Sequence, residues 1–100
     1  MYELRYLEQA KTDLIRIKRY ISTASGSNEL ALKYTEKLRQ QCRKLAELPG
    51  TMGRARPELM EDVRSLPHDS YIILFRYRGS LLEIISIIEG HRDIEELFRQ

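Results

Sequence analysis

The apolar repeat along this chain changes period twice, and the resulting order of elements sets its fold class. Tyr2-Glu3-Leu4-Arg5-Tyr6 alternates with period two, which predicts a strand with Tyr2, Leu4 and Tyr6 on one face. From Glu8 the period becomes helical: Ala10, Leu14, Ile17 and Ile21 form a stripe, with Lys11, Thr12, Arg16, Lys18 and Arg19 on the other side. Thr23-Ala24-Ser25-Gly26-Ser27-Asn28 interrupts it with small, turn-forming residues. A second stripe follows through Ala31, Tyr34, Leu38, Cys42, Leu45 and Leu48, and Pro49-Gly50 ends it. Two amphipathic helices joined by a short loop form an αα-hairpin whose apolar faces need a third surface to cover them.

Three strand-like segments can supply that surface, at about Asp62–Leu66, Tyr71–Tyr77 and Leu82–Glu89, with Arg78-Gly79-Ser80 as a tight hairpin between the last two. Residues 49–60, with two Gly and two Pro around Arg54 and Arg56, read as irregular. The tail from Asp93 reads as a short helix: Asp93 is the N-cap, Glu96 the capping-box partner, and Ile94, Leu97 and Phe98 pack back on the domain. The order β-α-α-β-β-β predicts an α+β architecture, with the hairpin of helices on one face of a small, mainly antiparallel sheet.

One hundred residues suit a single domain over 1–100, and no internal repeat, linker or low-complexity stretch divides them. Charged residues are dense from the first turn onward (Glu3, Arg5, Glu8, Lys11, Asp13), so no signal-peptide core is expected. The apolar runs near Tyr71–Phe75 and Leu81–Ile88 are too short to span a bilayer. A cytoplasmic protein without a membrane partner is the expectation. Cys42 is alone, which excludes an internal disulfide, and its place on the stripe predicts a buried apolar role. Two His and one Cys at no ligand spacing argue against a metal site, and Gly50, Gly53, Gly79 and Gly90 build no phosphate loop, so no cofactor is expected. The formal net charge of +2 is too small for strong non-specific nucleic-acid binding.

Several features resemble the RelE/ParE superfamily of bacterial toxins: Ala10-x-x-Asp13-Leu14-x-x-Ile17-x-x-Tyr20-Ile21, the Leu48-Pro49…Met52-Gly53-Arg54 loop, Arg64-x-x-Pro67-His68-x-x-Tyr71, and Gly90-His91-Arg92-Asp93. Together with the element order they cover essentially the whole chain. The resemblance implies the toxin of a type II toxin-antitoxin system, neutralised by a cognate, ParD-like antitoxin in a hetero-oligomer. It also implies two modes of action. ParE-like members resemble inhibitors of DNA gyrase that act by binding. RelE-like members resemble ribosome-dependent, metal-independent endoribonucleases that cut mRNA.

RNA cleavage through the 2′-hydroxyl needs a base, cations for the phosphorane and an acid for the leaving oxygen. RelE-like members supply Lys or Arg before the Arg64 position, an Arg at Arg92, and often a Tyr or His near the C-terminus. This chain keeps Arg64 and Arg92 but has Phe98 in its tail, and Glu58, Glu61 and Asp62 ahead of Arg64. Under that alternative Arg64, His91 and Arg92 are catalytic, with Arg76 in support. His91 otherwise reads as a strand-end residue, and His68 as a turn residue paired with Asp69. A third alternative is an inactive toxin fold that persists as an antitoxin partner.

The leading expectation is a ParE-like gyrase inhibitor without catalytic residues. Its target-binding candidates are Arg54, Arg56, Arg64, Arg76, His91, Arg92 and Phe98. Arg54 and Arg56 have a plainer reading, pairing with Glu58 or Glu61, and Arg64 one of partial burial. Arg76 is expected to point away from the helices and meet Arg64 or Arg92 in a cationic patch suited to an acidic antitoxin segment or a nucleic-acid backbone. The antitoxin is expected across the apolar grooves flanking helices and sheet, at Leu14, Ile17, Ile21, Tyr34 and Arg76. The six tyrosines read as packing residues.

Overall fold

The computed structural model describes residues 1–90. Its elements are β1 (Glu3–Tyr6), α1 (Glu8–Ser25), α2 (Asn28–Glu47), β2 (Arg54–Ala55), β3 (Arg64–His68), β4 (Tyr71–Arg78) and β5 (Leu81–Glu89). The sheet order is β1-β5-β4-β3-β2, with β1 parallel to β5 and every other pair antiparallel. The α+β class and its mainly antiparallel sheet are as the sequence predicts. The expected helix over the tail from Asp93 lies outside the described residues. Among the described residues no helix is long and apolar enough to cross a membrane.

Both helical stripes face one side of the sheet. Ala10, Leu14 and Ile17 of α1 and Leu38, Cys42, Leu45 and Ala46 of α2 pack on Ile73, Phe75, Leu82, Ile84 and Ile87. Burial of these side chains from water is the main stabilising contribution. A smaller cluster on the opposite face joins Val63, Leu74 and Ile88 with Leu59 and Ile72. Cys42 is fully buried, and that burial pushes its thiol up to about 11, so it stays protonated and unreactive near neutrality.

A side chain completes the sheet where a strand is missing. β1 pairs with β5 only as far as Tyr6 opposite Ile84, because the chain then turns into α1. The register of β5 against β4 slips between Leu74–Ser86 and Phe75–Ile84, leaving Ile85 as the extra residue. Asp13, 1% exposed, takes the vacated edge. Its Oδ2 accepts from the Ile87 amide at 2.9 Å and from the Ser86 hydroxyl. Its Oδ1 accepts from Gln9 at 2.9 Å and lies 3.1 Å from Arg16. This carboxylate therefore anchors α1 to the central strand of the fold.

Three local expectations need correction. α1 runs through Ser25, because the Ser25 hydroxyl donates to the Ile21 carbonyl and only Gly26, left-handed at φ 69°, stops the helix. The strand predicted at Asp62–Leu66 begins two residues late and ends two residues late, at Arg64–His68. Asp62 belongs to a turn closed by the Val63 amide donating to Met60, and Pro67 stays in β3 because β2 reaches only Arg64 and Ser65. The stretch 49–60 is not wholly irregular, since Arg54–Ala55 adds a two-residue edge strand.

Candidate interaction site

The end of the helix hairpin and the β3–β4 turn stand apart and leave a cleft of about 710 Å³. α2 starts cleanly there, with the Ser27 hydroxyl accepting from the Leu30 amide at 3.1 Å. Its floor is aromatic: the Tyr34 ring lies 5.9 Å from that of Tyr71 and 6.4 Å from the imidazole of His68. Burial, then the neighbouring Asp69 carboxylate, push the Tyr34 phenol up to about 12. Ile21 closes one side. Tyr20 and Leu30 stand at the opening, 66% and 52% exposed. Lys33 and Lys37 line the helical wall one turn apart, while Asp69 and Glu89 line the sheet wall. The apolar floor suits apolar side chains of a partner, and the divided charge suits a segment with acidic groups toward α2.

Of the residues expected to meet a partner here, Ile21 and Tyr34 line the cleft. Leu14 and Ile17 do not: they are 3% and 2% exposed, because the centre of the α1 stripe is buried against the sheet. The sequence reading missed Tyr20, Leu30, Lys33 and Lys37. Tyr20 was visible as an aromatic residue just off the α1 stripe, and the lysines as an i,i+4 pair beside Tyr34.

Arg76 points away from the helices as expected, but among the described residues Arg64 does not join it in a patch. Arg64 stands opposite Phe75 on the helix-covered face, so its neighbour in register is the residue before Arg76, which points to the other face. The Arg64 guanidinium donates to the Met52 carbonyl at 2.6 Å and the Gly53 carbonyl at 2.9 Å, clamping the loop after α2. Tyr77 supports the same loop by accepting from the Met52 amide at 3.0 Å. Arg76 donates to Glu83 at 2.8 Å, with Arg78 3.7 Å from the same oxygen and Arg5 opposite on β1. The bond from Arg76 holds the Glu83 carboxyl below its ordinary range. Arg56 donates to Ser65 at 3.0 Å and pairs with Glu58 at 3.3 Å, while Arg54 is exposed on β2. His68 Nε2 is 3.6 Å from Asp69. His91, Arg92 and Phe98 lie outside the described residues.

Residues 4–94 match the family model described as the ParE toxin of the type II toxin-antitoxin system parDE. The search of curated proteins finds no match. Among solved structures, a chain of the chromosomal ParDE TA system from P. aeruginosa is similar, with a TM-score of 0.76 and 26% identity. That likeness covers 89% of this chain and 96% of the other.

Proposed function

The chain belongs to the ParE toxin family of type II toxin-antitoxin systems, and from that premise we propose that it inhibits DNA gyrase by binding and is neutralised by an antitoxin segment seated in the cleft. The carrying observation is the cleft itself: an aromatic floor of Tyr34 and Tyr71, exposed Tyr20 and Leu30 at its mouth, and two lysines on one wall. Exposed apolar side chains around a concave site favour a protein partner. The solved relative, a ParDE system, is consistent with such a partner.

Action by binding also fits the arginines. Arg64 is committed to two loop carbonyls and Arg76 to a carboxylate, on opposite faces of the sheet. Two of the cations that RNA cleavage would use are therefore spent on the fold and cannot meet at one phosphate. For the gyrase contact we assign Arg54 on the edge strand, with the exposed Met52 two residues before it. Arg56 and Arg64 hold that loop in place. The remaining candidates, His91, Arg92 and Phe98, belong to the same proposal through the tail.

Charge reversal on the helical wall tests the antitoxin reading. The double variant Lys33→Glu/Lys37→Glu is expected to fold normally, since both side chains are exposed, and to bind the cognate antitoxin at least about tenfold more weakly. Isothermal titration checks it. Unchanged affinity, with a melting curve like that of the parent, would place the antitoxin elsewhere.

A further inference from the structure

His68 ends β3 next to Asp69 of the cleft wall, with its imidazole tilted 51° to the Tyr34 ring at 6.4 Å. Its Nε2 is shielded from solvent and, among the described residues, has no hydrogen-bond partner. A buried nitrogen without a partner costs free energy in either protonation state unless some state of the molecule satisfies it. Asp69 Oδ2 lies 3.6 Å away, within ion-pair range but longer than a hydrogen bond. Asp69 sits in the tight turn after His68 at φ 54°, and its carboxylate is part of the sheet wall of the cleft.

We propose that His68 and Asp69 form a proton-operated latch that couples occupancy of the cleft to pH, so that proton uptake by His68 strengthens binding of an acidic partner segment. This rests on the reading of the cleft as the antitoxin site. With a proton on Nε2, the imidazolium donates to Asp69, and a movement of less than about 1 Å brings the pair to hydrogen-bond length. One change then favours an acidic segment: the added positive charge offsets the Asp69 carboxylate, so the sheet wall loses its repelling charge there.

The groups facing His68 set no opposing trend. α2 contributes Tyr34, whose phenol is pushed up to about 12 and stays neutral. β4 contributes Tyr71, opposite in register, whose phenol is also raised by burial. Elsewhere in the cleft, Lys33, Lys37 and Tyr20 lie on the helices and Glu89 at the end of β5. Among these, an imidazole is the side chain whose charge ordinarily changes between pH 5 and 8.

The decisive experiment titrates the full chain with the cognate antitoxin between pH 7.5 and 5.5, in parallel with His68→Asn, and follows the His68 imidazole signal by NMR in the free chain and the complex. The parent is expected to bind about three- to tenfold more tightly at the lower pH, within the limit of one linked proton. His68→Asn removes any pH dependence that belongs to His68 and leaves that of the antitoxin itself. Its slope is expected to be smaller by that factor, while the His68 titration moves to higher pH in the complex. Equal slopes in both chains, with tight binding and an unmoved His68 titration, would overturn the latch alone. Insensitivity of binding to Lys33→Glu/Lys37→Glu would overturn the cleft assignment and the latch with it.

Discussion

Asp13 shows how much one side chain can carry in a chain of this size. Its two oxygens serve a backbone amide, a hydroxyl, an amide side chain and a guanidinium while nearly all its surface is buried. Replacing it with Ala leaves the Ser86 hydroxyl and the Ile87 amide buried without an acceptor, so Asp13→Ala is expected to cost about 3 kcal/mol. Urea denaturation checks this, and a loss below about 1 kcal/mol would show that the Asp13 anchor is dispensable. Gly53 is constrained differently. At φ 76° it lies against the sheet, where an added Cβ would meet Phe75 Cζ and the Ser65 carbonyl, each at 2.7 Å. Gly53→Ala is expected to destabilise by about 2 kcal/mol or to displace the loop clamped by Arg64, visible as a shifted Tyr77 signal. In sequence, Asp13 was visible only as a member of a resemblance. A lone carboxylate beside an apolar stripe does not reveal that it replaces a strand, because its partners lie 73 and 74 positions away.

At the scale of elements, periodicity was a good guide wherever an element was long enough to repeat. α1, α2, β4 and β5 each contain several repeats and were legible. β2 has two residues and leaves no alternation to read, and Pro67 disguised β3 because only its unpaired edge can tolerate the missing amide. The cleft was half legible for a related reason. Ile21 and Tyr34 lie at the margin of the stripes, but the cleft arises where residues near 20, 34 and 70 converge, and no local pattern encodes that. The Arg76–Glu83 pair between β4 and β5 sets an acid limit on the sheet. The folded-state pKa of Glu83 lies below its ordinary value of 4.5, so its contribution is complete above that value and is lost as pH falls through the folded pKa. Between pH 5 and 3, Glu83→Gln is expected to lose less stability than the parent. Parallel losses in urea midpoint would contradict the pairing.

At the scale of the whole molecule, the fold separates two surfaces. The cleft lies between the helix hairpin and the β3–β4 turn, and the Arg-clamped loop with Arg54 lies along the β2 edge. β3 joins them, ending in His68 at one and bearing Arg64 beside the other. A toxin whose antitoxin and target contacts sit at different places can be silenced by steric cover or by reshaping the strand between them. The central proposal is that the free chain acts on gyrase by binding. Purified gyrase titrated with this chain, read for supercoiling and for cleaved DNA with and without ATP, tests that most directly. The account predicts loss of supercoiling or accumulation of cleaved DNA, relieved by the antitoxin and weakened by Arg54→Glu. Gyrase that supercoils normally at large toxin excess would contradict it.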